Sequence, residues 1–342
     1  MKISVIGDGG WGTALAILLA KNKQKVRLWG AFGDYVKMLN KKRENIKFLP
    51  GVKIPKSIEI SADLAYVCID AELIILAVPS QFMRIILKKI SDYTTADMKF
   101  LSVAKGIEYK TLQCMSDVIY EEISRKIRQE NQSGKKRKEV NLAVLSGPNI
   151  AYEVARNIPS ACVCASNNKK LAQAVQNILI SPTFRVYTSN DVLGVELAGA
   201  LKNIIAIACG ISDGLGFGAN TKAALLTRGL NEISSLGIAM GAKYKTFSGL
   251  SGIGDLVTTC FSLKSRNRWL GEQLGKGKTL INALKGTEMV MEGVITTKTA
   301  LKLADKYSVT MPITYEVSRV LFHKKNPVDA LNSLMLREKK QE

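Results

Sequence analysis

The feature that most constrains the fold of this chain is a glycine-rich run near its start, Gly7-Asp8-Gly9-Gly10-Trp11-Gly12. The apolar segment Lys2–Ile6 before it predicts a buried strand, and the pattern of Thr13–Lys23 after it predicts a helix. In a G-x-G-x-x-G motif between strand and helix, the first glycine permits a tight turn, the second lets backbone approach a pyrophosphate, and the third allows close packing. The free N–H groups of the following helix favour an anion. The predicted dinucleotide-binding residues are Gly7, Gly9, Gly10 and Gly12.

Short apolar strands alternate with helical patterns through the first half of the 342 residues. Further strands are predicted at Lys25–Trp29, Leu73–Val78, Phe100–Val103, Leu142–Leu145 and Ser160–Ala165. This alternation is typical of a parallel, doubly wound sheet of the Rossmann type. After about residue 190 only long helical patterns follow, at Val192–Gly210, Thr221–Leu236, Arg266–Gln273, Ile295–Tyr307 and Tyr315–Phe322. We therefore predict an α/β fold with a dinucleotide-binding domain at 1–189 and an all-α substrate and catalytic domain at 190–342.

The amino-acid composition limits the residues that can transfer protons and the class of partner that the chain can bind. His323 is the only histidine, so proton transfer falls to Lys, Asp, Glu, Tyr or Cys, and no metal site is expected. The six cysteines include no C-x-x-C pair, which favours free thiols in a reducing compartment. A net charge of +20 favours anionic partners. We expect a phosphorylated small molecule and not nucleic acid, because the basic segment Ser124–Glu139 reads as a helix end followed by a solvated loop.

The sequence predicts neither a signal peptide nor a membrane span. The start of the chain passes from a short strand directly into the glycine-rich run. The longest apolar stretch, Val192–Ile211, is interrupted by Glu196 and Lys202, which suits a buried helix better than a bilayer. A cytoplasmic protein without stable membrane insertion is therefore expected.

The end of the second predicted strand bears on which dinucleotide is bound. An acidic residue about 20 positions after the glycines would bind the ribose 2′-hydroxyl of NAD. Here the strand ends in Arg27-Leu28-Trp29-Gly30-Ala31-Phe32, and Asp34 falls beyond its tip. The missing acidic residue weakly favours NADP(H) as the cofactor and does not exclude NAD(H). Arg27 is either a phosphate partner or an exposed cation on the strand.

The helical half contains three polar segments that point to chemistry. Lys202 lies on a helix face of small residues, where burial can lower the pKa of a lysine for acid–base work; the alternative is a lysine that pairs with Glu196. Asp255, among the glycines of Gly249–Leu256, holds a catalytic ammonium or substrate hydroxyl, or else caps a helix. Ser265–Arg268 combines donors suited to phosphate.

At the end of a predicted strand in the first half, Lys105 is placed to reach a ligand beyond the carboxyl ends of the strands. A lysine in a solvated loop is the alternative. Together with the polar segments of the helical half, Lys105 suggests an anionic polyol-type substrate under a nicotinamide ring.

These residues lie in motifs that resemble the bacterial NAD(P)-dependent sn-glycerol-3-phosphate dehydrogenases over almost the full chain. In register, the matching motifs are GDGGWGTALA (residues 7–16, resembling GAGSWGTALA of the family), AKGIE (Ala104–Glu108), SGPNIAYEVA (Ser146–Ala155), GVELAGALKNIIAIACGISDGLGFGAN (Gly194–Asn220), LTRGLNE (Leu226–Glu232), GLSGIGDLVTTC (Gly249–Cys260), SRNR (Ser265–Arg268) and VMEG (Val290–Gly293). One such motif would be a weak signal, but eight in order are specific.

The resemblance implies an activity and residue roles. The reaction is hydride transfer between C2 of glycerol 3-phosphate and C4 of the nicotinamide, giving dihydroxyacetone phosphate. Lys202 aligns with the proton acceptor, and Lys105 with a lysine shared by substrate and cofactor. The catalytic set is Lys202, Lys105 and Asp255. The further substrate-binding positions are Gly147, Asn149, Ser265, Arg266 and Asn267. The further cofactor-binding positions are Trp11, Ala31, Lys105, Ala151, Arg266, Val290 and Glu292. A homodimer and a role in supplying glycerophospholipid synthesis are also implied.

The chain departs from the family pattern at several positions. Gly10 replaces a usual serine, Asn149 stands where Ser or Thr is usual, and Ala31 and Phe32 stand where His or Arg commonly follows. Three alternatives stay open: another two-domain hydroxy-acid reductase of the ketopantoate reductase kind, a non-enzymatic dinucleotide-binding regulator, and a basic nucleic-acid-binding protein. The phosphate-facing SRNR and the GIGDL segment argue against the first of these, and the intact Lys202, Asp255 and Arg266 set argues against the second.

Overall fold

The computed structural model describes residues 1–130, 140–287, 289–338 and 341, without the side chains of 127–130. It divides into two compact units, the first formed by Met1–Lys105 and Gln113–Val195, the second by Gly106–Leu112 and Glu196–Glu342. The predicted domain boundary after residue 189 remains a prediction. The basic loop predicted within Ser124–Glu139 lies at 131–139, outside the described residues.

The first unit is built on a sheet. Its strands, with one separate hairpin, are β1 (Lys2–Ile6), β2 (Lys25–Trp29), β3 (Glu44–Asn45), β4 (Leu49–Lys53), β5 (Glu59–Ser61), β6 (Leu73–Leu76), β7 (Lys99–Ser102), β8 (Asn141–Ser146), β9 (Ser160–Ala165) and β10 (Phe184–Ser189). The eight-stranded sheet has the order β10-β9-β8-β7-β6-β1-β2-β5, and β3 pairs only with β4. Within the eight-stranded sheet, neighbouring strands are parallel except for β8 and β9.

Helices cover both faces of the sheet and make up the second unit. They are α1 (Gly10–Lys21), α2 (Gly33–Lys42), α3 (Leu64–Cys68), α4 (Met83–Ile90), α5 (Met115–Glu130), α6 (Ala151–Ala155), α7 (Lys169–Leu179), α8 (Val192–Gly214), α9 (Ala219–Ala239), α10 (Tyr244–Phe247), α11 (Asp255–Phe261), α12 (Arg266–Gly275), α13 (Leu280–Leu284), α14 (Glu292–Lys306), α15 (Pro312–His323) and α16 (Pro327–Met335). The division between the units falls within α8. Short turns of helix also occur at Ser80–Phe82, Ser91–Tyr93 and Leu250–Gly254.

The sheet separates two hydrophobic cores. All four residues of β6 are buried, and they alternate between the cores: Leu73 and Ile75 pack on one side, Ile74 and Leu76 on the other. A strand buried on both faces reads as a continuous apolar run, which is why β6 could be predicted from sequence. From β1, the chain builds the sheet towards β2 on one side and towards β6 on the other, so β1 and β6 meet at the switch point where doubly wound folds bind ligands.

The predicted α/β architecture is confirmed, and the structure corrects one detail of it. The sheet is not wholly parallel, because β9 runs antiparallel to β8. The short strand β5 and the strand β10 were not predicted. In β10 only Phe184 and Val186 are buried, so a strand at the sheet edge carries too few apolar residues for a clear signal.

One described helix, α8, is long and apolar enough by length and composition to span a membrane. Its most apolar 18-residue window is 89% buried inside the protein, as expected for the core helix of a soluble protein. All six cysteines are buried and free, and burial raises the pKa of Cys68 and of Cys164 to about 12.

Candidate functional site

The glycine-rich loop forms the connection between β1 and α1 at the switch point. Gly7 has a φ of +121°, and a Cβ there would lie 2.8 Å from the carbonyl oxygen of Ala77, just after β6. A Cβ on Gly12 would lie 2.0 Å from the carbonyl oxygen of Gly7. Both positions therefore require glycine, the first for backbone conformation and the second for close packing.

Gly9 differs from its neighbours, because a Cβ built on it would meet nothing within 4 Å. It is the N-cap of α1 and supplies no side-chain hydrogen bond to the N–H groups of the first turn. The loop thus combines open space with backbone donors at the positive end of a helix dipole. This arrangement fits the pyrophosphate of a dinucleotide.

Other predicted cofactor positions of the first unit lie around this loop. A Cβ on Gly10 would lie 3.8 Å from the Cβ of Ala151, which begins α6. Trp11 is half-buried and packs against one core of the sheet. Ala31 is exposed, two residues after the end of β2. The structure brings Gly10 and Ala151 together, whereas a shared cofactor contact by Trp11 and Ala31 remains a prediction.

Lys105, Gly147 and Asn149 form the candidate substrate positions of the first unit. Lys105 Nζ donates a hydrogen bond of 3.0 Å to the carbonyl oxygen of Gly147. Both polar atoms of the Asn149 side-chain amide are buried, and neither has a hydrogen-bond partner among the described residues. A buried amide left unsatisfied costs about 1–3 kcal/mol for each group. The unpaired amide of Asn149 is therefore suited to a polar ligand.

In the second unit, Lys202 and Asp255 form a buried ion pair. Lys202 Nζ of α8 lies 2.5 Å from Asp255 Oδ1 of α11, and it also donates to Thr259 Oγ1 one turn further along α11. The side chains of Lys202 and Asp255 are only 6% and 2% exposed. A buried ammonium needs a charged partner and further hydrogen bonds to offset its desolvation. This part of the predicted catalytic set, Lys202 with Asp255, is brought together by the fold.

The segment that precedes Asp255 explains how the pair forms. Leu250–Gly254 is a short π-helical turn that leads directly into α11, so Asp255 stands in the first turn of that helix and does not act as its N-cap. Burial of Asp255 follows from its position on the face that carries Thr259, four residues later.

Residues of the Ser265–Arg268 segment have different surroundings. Ser265 is the N-cap of α12 and accepts a hydrogen bond from the backbone N–H of Arg268. The Arg268 guanidinium lies 2.7 Å from Asp213 Oδ2, whereas Arg266 is exposed. Arg266 is therefore the arginine of this segment that is placed for an external anion.

Asn267 and Gly293 are linked to the residue after Lys202. Asn267 Nδ2 donates to Asn203 Oδ1 at 3.0 Å, and Asn267 Oδ1 accepts the backbone N–H of Gly293 at 3.1 Å. Glu292, at the start of α14, interacts electrostatically with Arg266, and Val290 is partly exposed. The predicted positions on α12 and around the start of α14 are thus coupled through hydrogen bonds and charge.

Two polar residues of this region were not among the predicted site residues. Thr259 carried a signal that could have identified it, because a position four residues after Asp255 shares its helix face. Asn203 follows Lys202 directly and lies on the small-residue face of α8. Neither the partner of the Thr259 hydroxyl nor that of the Asn203 amide could be read from sequence alone.

The chain matches two family models along most of its length. Residues 2–172 match the N-terminus, and residues 191–332 the C-terminus, of NAD-dependent glycerol-3-phosphate dehydrogenase. It is 47% identical to the glycerol-3-phosphate dehydrogenase [NAD(P)+] of Fusobacterium nucleatum, over 100% of this chain and 98% of that one. Among solved structures, glycerol-3-phosphate dehydrogenase from Coxiella burnetii superposes with a TM-score of 0.91 at 37% identity, covering 98% of both chains.

The comparison with ketopantoate reductase bears on the alternative substrate class. The enzyme of this family from Ralstonia eutropha gives a TM-score of 0.57 at 14% identity, which shows a shared fold alone. The Plasmodium falciparum glycerol-3-phosphate dehydrogenase, at 27% identity, has a TM-score of 0.84 over 100% of this chain and 97% of its own. The comparisons therefore favour the glycerol-3-phosphate reading over the ketopantoate alternative.

Proposed function

The chain belongs to the NAD-dependent glycerol-3-phosphate dehydrogenase family, and on that premise we propose that Lys202 transfers the proton of its reaction. The protein is an NAD(P)-dependent oxidoreductase that interconverts sn-glycerol 3-phosphate and dihydroxyacetone phosphate. The observation that carries the proposal for Lys202 is its buried ammonium, held by Asp255 and Thr259. With His323 as the only histidine, and that on the last turn of α15, lysine is the base suited to this role.

The chemistry follows from the position of the Lys202 side chain. When bound, a dinucleotide would supply the hydride chemistry, in which a hydride leaves C2 of glycerol 3-phosphate or is added to the carbonyl carbon of dihydroxyacetone phosphate. In oxidation, the neutral amine of Lys202 takes the proton of the C2 hydroxyl; in reduction, its ammonium gives a proton to the carbonyl oxygen. Asp255 and Thr259 fix Nζ, and the positive charge stabilises negative charge that develops on the substrate oxygen.

The remaining site residues take binding roles in this proposal. Substrate is bound by Lys105, Gly147, Asn149, Asp255, Ser265, Arg266 and Asn267. The dinucleotide is bound by Gly7, Gly9, Gly10, Trp11, Gly12, Ala31, Lys105, Ala151, Arg266, Val290 and Glu292. Support comes from the unpaired amide of Asn149 and from Arg266, whose guanidinium suits a phosphate and whose pKa is lowered by burial. A net charge of +20 also favours a phosphorylated substrate.

The test is replacement of Lys202 by methionine, which keeps the length of the side chain and removes its amine. Turnover of dihydroxyacetone phosphate, followed by loss of nicotinamide absorbance, should fall by about 10³-fold, the range typical of a lost general acid or base. Binding of reduced dinucleotide, measured by its fluorescence, should persist. Lys276→Met is the matched control, since Lys276 also pairs with a carboxylate, at 2.6 Å, but is exposed. Turnover close to that of the control would disprove the role of Lys202.

We also propose an oligomeric state, a compartment and a metabolic role for the protein. The family resemblance supports a homodimer in the cytoplasm that supplies glycerol 3-phosphate for glycerophospholipid synthesis. Sedimentation equilibrium of the purified chain should give twice the monomer mass, and a concentration-independent monomer would contradict the dimer.

A further inference from the structure

Asp8, the second residue of the glycine-rich loop, directs its carboxyl group to the end of β2. A Cβ at position 30, the first residue after β2, would lie 2.4 Å from Asp8 Oδ2 and 2.9 Å from Asp8 Cγ. Only glycine at position 30 leaves room for this carboxyl group. The Gly7 N–H donates to the carbonyl oxygen of Trp29 at 3.1 Å, which ties the loop to the last residue of β2.

The main chain of Asp8 is fixed, while one oxygen of its side chain is unsatisfied. Its carbonyl oxygen accepts hydrogen bonds from Asn45 Nδ2 at 2.7 Å and from Thr13 Oγ1 at 3.3 Å. Asp8 Oδ2 is buried and has no hydrogen-bond partner among the described residues. A buried carboxylate oxygen in this condition is a strong acceptor without a donor.

Among the described residues, Lys47 is a cation that acts on the Asp8 carboxyl group, and its Nζ lies 5.8 Å from the ring centre of Tyr35 and 5.3 Å from that of Phe48. Burial raises the pKa of Asp8, against the opposing effects of its own backbone N–H and of Lys47.

Arg27, which the sequence left open as a phosphate partner, is occupied by other groups. Its guanidinium lies 3.3 Å from Glu59 Oε2 and donates to the carbonyl oxygens of Tyr66 and Ile69 at 2.9 and 2.8 Å. It also lies over the Tyr66 ring. Its contacts are those of a structural cation on β2, and the residues after β2, Gly30-Ala31-Phe32, are uncharged.

In doubly wound folds, a carboxylate at the end of the second strand accepts hydrogen bonds from the adenosine ribose of NAD and repels the 2′-phosphate of NADP. Here β2 has no such residue, but the carboxylate of Asp8 reaches the same place from the glycine-rich loop. We propose that Asp8 binds the ribose hydroxyls of NAD(H) and makes the enzyme prefer NAD(H) to NADP(H). The inference rests on the dinucleotide site of the proposed function, and it reverses the lean towards NADP(H) drawn from the sequence.

The experiment compares the dissociation constants of NADH and NADPH by nicotinamide fluorescence, without substrate. The unmodified protein should bind NADH at least about tenfold more tightly, because two negative groups a few ångströms apart repel strongly. Asp8→Asn keeps the shape of the side chain and removes its charge, so it should lower this preference at least about tenfold, mainly through tighter NADPH binding. Asp34→Asn is the matched control: it removes the same charge from the exposed first turn of α2, where Asp34 pairs with Lys37.

A second measurement uses the unmodified protein alone. Adenosine 5′-monophosphate should displace bound NADH at lower concentration than adenosine 2′,5′-bisphosphate, since the two probes differ only in the 2′-phosphate. The proposal is overturned if NADPH binds as tightly as NADH, if the bisphosphate displaces better, or if Asp8→Asn weakens both dinucleotides equally. A preference for NADPH would indicate that Lys47 recruits the 2′-phosphate. If neither NADH nor NADPH binds, the proposed function is contradicted as well, and this outcome is distinct from a lost preference between the two.

Discussion

At the level of single residues, the candidate site contains polar side chains whose burial costs free energy unless they have charged or hydrogen-bonding partners. Lys202 is 5% exposed, and its ammonium is held by Asp255, 53 positions away, and by Thr259, 57 positions away. Removing one partner of a buried ion pair leaves an uncompensated charge, which costs about 3–5 kcal/mol. We therefore interpret Lys202, Asp255 and Thr259 as one hydrogen-bonded group, in which we expect Thr259 to position the Lys202 ammonium.

Replacing Thr259 by valine tests this interpretation, because valine keeps the shape and removes the hydroxyl. We expect kcat for reduction of dihydroxyacetone phosphate to fall about tenfold through loss of one hydrogen bond to Lys202, with less change in KM. The adjacent Thr258 offers a matched control, since its hydroxyl donates to the carbonyl oxygen of Gly254 at 2.9 Å within the helix. Equal kinetics for Thr259→Val and Thr258→Val would contradict a positioning role.

At the level of elements, the unit β1–loop–α1 shows how one motif separates folding from binding. Gly7 and Gly12 satisfy the geometry of the turn, and their missing Cβ atoms would collide with backbone. Gly9 has no such structural requirement, because its Cβ direction is open and its φ is −64°. An alanine at Gly9 is compatible with the fold, so its glycine is explained by the space it leaves for a ligand.

Paired alanine substitutions should separate these requirements. Gly9→Ala should change the free energy of unfolding by no more than about 0.5 kcal/mol yet weaken NADH binding at least about tenfold, since its Cβ enters the space above the N-terminus of α1. Gly12→Ala should destabilise the protein by about 2 kcal/mol or more, because its Cβ would overlap the Gly7 carbonyl. Urea unfolding and fluorescence titration measure the two effects. Unchanged NADH affinity in Gly9→Ala would show that the dinucleotide does not approach this residue.

For the molecule as a whole, we expect stability to depend on pH through a buried carboxyl group outside the candidate site. Glu232 of α9 accepts hydrogen bonds from the backbone N–H groups of Ile313 and Thr314, at 2.5 and 3.1 Å, at the start of α15. Its burial raises its pKa to about 7, so the folded protein favours the protonated form. The stability that this group contributes is complete below its ordinary pKa of 4.5 and is lost as the pH rises through about 7.

Glu232→Gln should remove this dependence, because glutamine keeps one of the two acceptor oxygens and does not titrate. Between pH 4.5 and 7.5 we expect the unfolding free energy of the unmodified protein to fall by up to about 3 kcal/mol relative to that of the variant. Denaturant melts of both proteins across this range provide the comparison. Parallel pH profiles would show that Glu232 does not titrate between the two states.

Much of the architecture could be predicted, because its signals are local. The strands Lys2–Ile6, Lys25–Trp29 and Ser160–Ala165 have the predicted bounds, since short segments rich in apolar residues indicate strands. Helix ends were less predictable: α8 extends to Gly214, four residues beyond the predicted Gly210. The direction of β9 was missed because the choice between parallel and antiparallel pairing leaves no mark within either strand.

The sequence by itself determined the glycine-rich loop and the lysine on the small-residue face of α8. It also determined the change from alternating strands and helices in the first half to long helices in the second. These features depend on backbone sterics and on periodicity over a few residues. Only the tertiary structure assigned Gly106–Leu112 to the helical unit, where Lys302 Nζ lies 4.2 Å from the ring centre of Tyr109. It alone joined Lys202 to Asp255 and Thr259 and carried the Asp8 carboxylate to the end of β2, because such contacts depend on packing between residues far apart in the chain.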